Sequence, residues 1–200
     1  AISLTTANNS VVLAGTIDTR GGLSAGSVLG GNLEVTAGGA DSNIQLEGTI
    51  RTRGGAMDFK DSVFISGAAL LDNTEADTNG TITFADSVFF GGDLNLLSGG
   101  AVAFSGDVNG ANDVIILVQN DNDLTFAGNL GNTIPLGSLT VQTGGGDVLL
   151  ASDINTGGGA VSFGMRVRLG DSVIIDTTKL NNSAGGTVQF LQGVIGQQTS

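Results

Sequence analysis

The chain of 200 residues has no cysteine, no histidine, no tryptophan and no tyrosine, and a single proline, Pro135. Without cysteine there is no disulfide and no thiolate zinc site. Without histidine there is no Ser-His-Asp or Cys-His relay and no imidazole metal ligand. No GxxxxGK[ST] string occurs, so nothing supports a nucleotide P-loop. Positive charge is scarce too: seven Lys and Arg face nineteen Asp and Glu, for a net charge of −12. Such a surface repels phosphate backbones and anionic bilayers, so neither nucleic acid nor a charged membrane surface is an expected partner. The same acidity keeps a sheet-rich chain in solution. No run of 18 apolar residues exists, so no transmembrane helix is expected. The opening AISLTTANN has no basic, apolar leader and already reads as strand, which suits a mature chain or a piece of a longer one.

What the chain does have is glycine, 34 residues of it, and 40% hydrophobic residues. That hydrophobic content argues against disorder, and the glycine has no three-residue period, which excludes collagen. Val, Ile, Leu and Phe come in short runs separated by Gly, Asn, Asp, Ser and Thr, which are strand and turn residues respectively. Residues 1–200 fit one domain.

A five-residue unit recurs: Phe or Leu, three small or polar residues, then Val, Ile or Leu. It reads LAGTI at 13–17, LEGTI at 46–50, FKDSV at 59–63, FADSV at 84–88 and FSGDV at 104–108. It continues as FAGNL at 126–130, LASDI at 150–154, FGMRV at 163–167 and FLQGV at 190–194. Six of the nine phenylalanines (Phe59, Phe84, Phe104, Phe126, Phe163 and Phe190) occupy its first position, too many of a rare residue for chance. Most starts are 20–25 residues apart or about twice that, once the two 13-residue steps are merged with a neighbour. Those short steps then join copies on different faces. A longer repeat lies over the short one: residues 44–65 and 148–169, offset by 104, share 8 of 22 positions. IDTRGG at 17–22, IRTRGG at 50–55 and INTGGG at 154–159 are related turns.

Within a unit the pattern alternates as a strand does: in GTITFADSV, Ile82 and Phe84 point one way and Thr81 and Thr83 the other. No window gives a convincing helix. One unit of 20–25 residues cannot bury its own apolar side, whereas stacked units share a continuous core. The expected fold is therefore all-β: a parallel β-helix, or solenoid, of eight to nine coils, forming a rod of roughly 40 Å. The first and fifth residues of each unit face inward, the three between make a bend, and the phenylalanines stack along the axis. With no helical or charged cap evident, the coil ends are expected to continue into more of the same polypeptide or to meet another copy.

No catalytic, cofactor-binding or metal residue is singled out, and no enzyme activity is expected. Pectin-degrading β-helix enzymes need clustered carboxylates with a basic group on one face. The seven basic residues are Arg20, Arg51, Arg53, Lys60, Arg166, Arg168 and Lys179. Arg51 and Arg53 are two apart on a strand-like stretch, as are Arg166 and Arg168, so each pair should share an outer, solvated face. No cofactor is expected. Calcium is the one candidate, at QNDNDL 119–124 and LDNTEADTNG 71–80, although neither matches an EF-hand or a calcium-binding β-roll. Ordinary turn chemistry accounts for both segments.

NLEVTAGG at 32–39, GTIDTRGG at 15–22, GNLGNTIPLGSLTV at 128–141 and GGGDVLLASDINTGGGAV at 144–161 resemble the β-strand repeats of filamentous-haemagglutinin-like large bacterial exoproteins. The resemblance implies a right-handed coil, export to the cell surface, and service as the structural shaft of an adhesin or filament. Its ligand on a host or neighbouring cell stays open. A self-assembling fibre or sheath subunit and, behind it, a polysaccharide-active enzyme are the alternatives.

Overall fold

The computed structural model describes residues 1–19, 30–39, 41–74, 80–179 and 184–196. Among them there is no helix, and the strands lie in parallel sheets, consistent with a parallel β-helix. The first sheet has nine strands, stacked in chain order: Ile2–Thr6, Leu33–Ala37, Met57–Phe59, Ile82–Phe84, Val102–Phe104, Leu124–Phe126, Val148–Leu150, Val167–Leu169 and Val194–Gly196. From Leu33 to Val148 successive partners are 20 to 25 residues apart. The steps before Leu33 and after Val167 are longer and contain residues outside the described set.

Strand and burial alternate together. Ile82 and Phe84 are fully buried while Thr83 points outward, and Val102-Ala103-Phe104 and Leu124-Thr125-Phe126 repeat the pattern. The register places Phe59, Phe84, Phe104, Phe126 and Leu150 in one inward column. The rings stack at centroid distances of 5.1, 4.6 and 5.3 Å, close to the spacing of about 4.8 Å between neighbouring strands. Hydrogen bonding of the backbone therefore sets the ring separation. Phe163 and Phe190 form a separate stack on the second sheet, at 5.4 Å. The recurring phenylalanines do stack, but in two columns on two faces.

The second sheet begins with long strands, Val11–Asp18, Ile44–Arg51 and Val63–Asp72. The next pass of the chain divides. Val88–Phe90 pairs with the first half of Val63–Asp72 and Leu94–Ser98 with the second half. From there two limbs diverge. One carries Val108–Asn109, then Leu130, then Ile154–Asn155 and Ile175–Asp176. The other carries Asp113–Val118, Ser138–Thr143, Val161–Phe163 and Val188–Phe190.

This topology explains the five-residue unit. In FKDSV, FADSV, FSGDV, FAGNL and LASDI the first residue ends a strand of the first sheet and the fifth opens the adjoining limb. The three between turn the corner. LEGTI instead crosses the second sheet from Leu46 to Ile50, and FGMRV leads from that sheet back to the first at Val167. Each 13-residue step, Leu46 to Phe59 and Leu150 to Phe163, thus joins units on different faces.

The 104-residue repeat is likewise local. Residues 44–59 run as one long strand, a turn and a strand, whereas 148–163 run strand, corner, strand, turn, strand, and the first copy starts on the second sheet and the other on the first. Both turns are locked alike. The buried Thr52 hydroxyl donates to the Gly55 carbonyl at 2.6 Å, and the buried Thr156 hydroxyl to the Gly159 carbonyl at 2.6 Å. Gly54 and Gly158 sit between at φ +67° and +109°, where a Cβ is strained. Phe104→Asp would place a carboxylate inside the ring column. It is expected to cost several kcal/mol in a denaturant titration, and an unchanged midpoint would remove the inward assignment.

Candidate functional site

The acidic residues of the corner units have a common employment. Asp107 and Asp153, at the fourth position of their units, accept from backbone N–H groups of the following pass: Asn129 at 2.8 Å and Ile174 at 2.8 Å. Asp61 and Asp86, at the third position, reach back to the preceding pass, where Ala37 N–H donates at 2.8 Å and the Ser62 hydroxyl at 3.0 Å. One place along the unit changes which neighbour the carboxylate meets. Other corners repeat the device, with Asp93 accepting from Asp113 N–H at 3.0 Å and Asp123 from Asp147 N–H at 2.8 Å. Asn109 accepts from both Thr133 and Ile134 N–H. The signal lay in the FxDSV and FxxDV variants of the repeat, but only the pairing shows where each carboxylate points.

The first calcium candidate is a turn. In residues 119–124, Asn120 and Asp121 take φ of 58° and 56°, a left-handed pair that Asn and Asp tolerate, and Asn122 N–H closes the turn on Gln119 O. The Asn122 amide also donates to Gly99 O of the preceding pass at 3.0 Å. Of residues 71–80, positions 75–79 lie outside the described residues. In the remainder, Asn73 donates to Gly80 O at 2.7 Å and Asp72 accepts from the backbone and hydroxyl of Thr74. Asp176 repeats that turn with Thr178, whose N–H, then hydroxyl, hold its carboxyl below the usual range. Among the described residues no group of three or more Asp or Glu gathers in a way that could hold a metal ion.

The basic residues are distributed as follows. Arg20 lies outside the described residues. Arg51 ends its strand and approaches Asp72 at 3.7 Å. Arg53 is not its strand neighbour, as the sequence suggested: the chain leaves the sheet after Arg51, and Arg53 sits in the glycine turn. Lys60 pairs with Asp58, whose hydrogen bond raises the lysine pKa. Lys179 sits in the loop after Ile175–Asp176 and adds to the field that holds Asp176 ionised. Arg166 and Arg168 do come together. Arg166 grips Asp147 through Nε at 2.7 Å and a terminal nitrogen at 2.9 Å, and Arg168 adds a contact at 3.4 Å. This fork holds the Asp147 carboxyl below its ordinary range, chiefly through the Arg166 hydrogen bond. Both cations are thereby engaged with the chain's own carboxylate.

Phe64 and Phe89 are two outward aromatics that stand outside the repeat's first position, so the recurring unit does not point to them. They are register partners on neighbouring strands, stacked at 5.6 Å and 28°. A groove of about 240 Å³ runs beside them, lined by Asn43, Ser62, Ser87 and Asn109. Gly91 leaves room for the Phe64 ring, since a Cβ there would lie 3.0 Å from Cζ.

No protein-family description, curated protein or solved structure matches this chain.

Two predictions follow from the carboxylates. Asp107→Ala leaves the Asn129 N–H without its partner and is expected to cost about 1–2 kcal/mol by chemical denaturation, with faster hydrogen exchange at Asn129. Asp107→Asn, which keeps an acceptor, recovers most of that loss. For Asp147 the folded pKa lies below the unfolded one. Its stabilisation is therefore complete above the unfolded value, near 3.9, and is lost as pH falls through the lower folded value. Asp147→Asn should flatten that acid limb of a stability–pH curve, and an unaltered limb would remove the assignment.

Proposed function

We propose that this chain is a length of structural shaft from an extracellular bacterial adhesin or cell-surface filament, without catalytic activity of its own. On this reading the parallel sheets form a right-handed β-helix of eight to nine coils, each of about 20–25 residues. One observation carries it. From Leu33 to Val167 the inward positions of the first sheet follow one another in register and stay buried, with no strand skipped. Such a column makes length and stiffness, because each pass leans on its neighbours and load is shared along the axis. Surface location rests on the resemblance of the NLEVTAGG and GGGDVLLASDINTGGGAV stretches to bacterial exoprotein repeats.

A second reading is end-to-end assembly of such chains into a fibre or sheath.

Small-angle scattering and negative-stain imaging across a concentration series, with and without calcium, test both readings. Short rods at every concentration support the shaft, and long fibres of uniform width support assembly. Compact round particles would overturn both. Antibody labelling of intact source cells checks the location, which labelling only after permeabilisation would refute.

A further inference from the structure

Two Asn-Gly dipeptides occur in the chain, at 79–80 and 109–110, and Asn79 lies outside the described residues. Asn-Gly is the pairing in which an asparagine loses its side-chain amide most readily. Glycine has no Cβ to hinder attack of its backbone nitrogen on the preceding side-chain carbonyl. At 109–110 the fold requires both residues. Gly110 takes φ +129°, and a Cβ there would lie 2.2 Å from the Phe90 carbonyl oxygen of the preceding pass. Asn109 supplies the oxygen that accepts from Thr133 N–H at 2.9 Å and Ile134 N–H at 3.2 Å, both of the following pass. A reactive pair therefore stands where the chain leaves Val108–Asn109 for Asp113–Val118, at the corner between the two limbs.

The same contacts keep the reacting atoms idle. To close a succinimide ring, the Gly110 nitrogen must give up its proton and swing onto Asn109 Cγ. Gly110 is buried, and its N–H donates to Ile134 O at 3.0 Å. The Asn109 side chain is held by its two N–H donors, and its backbone is extended as the last residue of a strand. The flanks are tied as well. Gly131 N–H donates to Val108 O at 2.7 Å, and the Asn112 amide donates to Phe90 O at 2.7 Å. Turning the Gly110 nitrogen toward Asn109 breaks the bond to Ile134 and moves a backbone packed against Phe90. Ring closure therefore waits on local opening of this corner.

We propose that Asn109–Gly110 is a deamidation site gated by the fold, held back while the corner is closed and reactive once residues 108–112 separate from 131–137. The step needs only water. Gly110 N attacks Asn109 Cγ, ammonia leaves, and water opens the succinimide at either carbonyl to give aspartate or isoaspartate. Isoaspartate routes the main chain through Cβ and Cγ, which adds one backbone atom between positions 109 and 110. Val108 and Gly110 then cannot both keep their register with Gly131 and Ile134. A corner that has opened long enough to react is thereby kept from closing as before. This inference stands apart from the shaft reading, which its failure would leave untouched.

Incubation of the 200-residue chain at neutral pH, native and in guanidinium chloride, tests it, with residue 109 followed by peptide mapping. An Asn79→Gln background leaves a single Asn-Gly dipeptide. Conversion in the native chain is expected to be at least about tenfold slower than in the denatured chain, as for other reactions gated by local opening. Equal or faster conversion in the native chain would overturn the gate. Chain converted while denatured is then refolded beside unconverted chain taken through the same cycle. The isoaspartate form should melt lower and exchange its Gly110 and Gly131 amide hydrogens faster. The aspartate form, which keeps an acceptor for Thr133 and Ile134, should match the reference. An isoaspartate form as stable as the reference would overturn the claim that the corner cannot close again.

Discussion

In-register parallel pairing is the constraint on which the rest of this structure depends. A parallel ladder places identical positions of successive passes directly over one another, so each inward side chain must suit the ones above and below it. Phenylalanine over phenylalanine at 4.6 to 5.4 Å meets that demand in both columns. So does valine, isoleucine or leucine at the position two residues earlier, as in Ile82, Val102 and Leu124. Because backbone hydrogen bonds fix the spacing, the side chains adapt to it, and a short vocabulary of residues is reused throughout.

The same stacking sets like charges near one another. Glu34 and Asp58 are direct partners on the outer surface of the first sheet, an unfavourable pairing that Lys60 relieves by bonding Asp58. At the corners the problem is solved differently. Asp61, Asp107 and Asp153 place their carboxylates on backbone N–H groups of an adjacent pass. An acidic composition therefore serves two ends here. It keeps a stack of strands soluble, and it supplies the acceptors that tie one pass to another where the sheets bend.

A core this repetitive leaves little freedom inside, so individuality is confined to the outward positions. The column Gln45, Phe64, Phe89, Asn109 carries two aromatic rings outward, where the first sheet carries Thr83, Ala103 and Thr125. Arg166, Arg168 and Asp147 make a second departure, but that cluster is closed upon itself.

By itself the sequence determined the all-β class, the parallel stacking, the inward phenylalanines and the corners at FKDSV, FADSV, FSGDV, FAGNL and LASDI, whereas LAGTI and LEGTI, expected to bend, run as continuous strand. Alternation and the recurring unit are local properties of each copy. The tertiary structure alone decided which face each copy occupies. Residues 44–59 and 148–163 are near relatives that begin on different sheets, because the face depends on how many residues the preceding corners consumed. It also decided that Arg53 leaves the sheet and that Asp61 reaches back while Asp107 reaches forward. Finally, it made Phe64 and Phe89 neighbours. Those are contacts between residues 20 or more positions apart, and they exist only once the register between passes has been chosen.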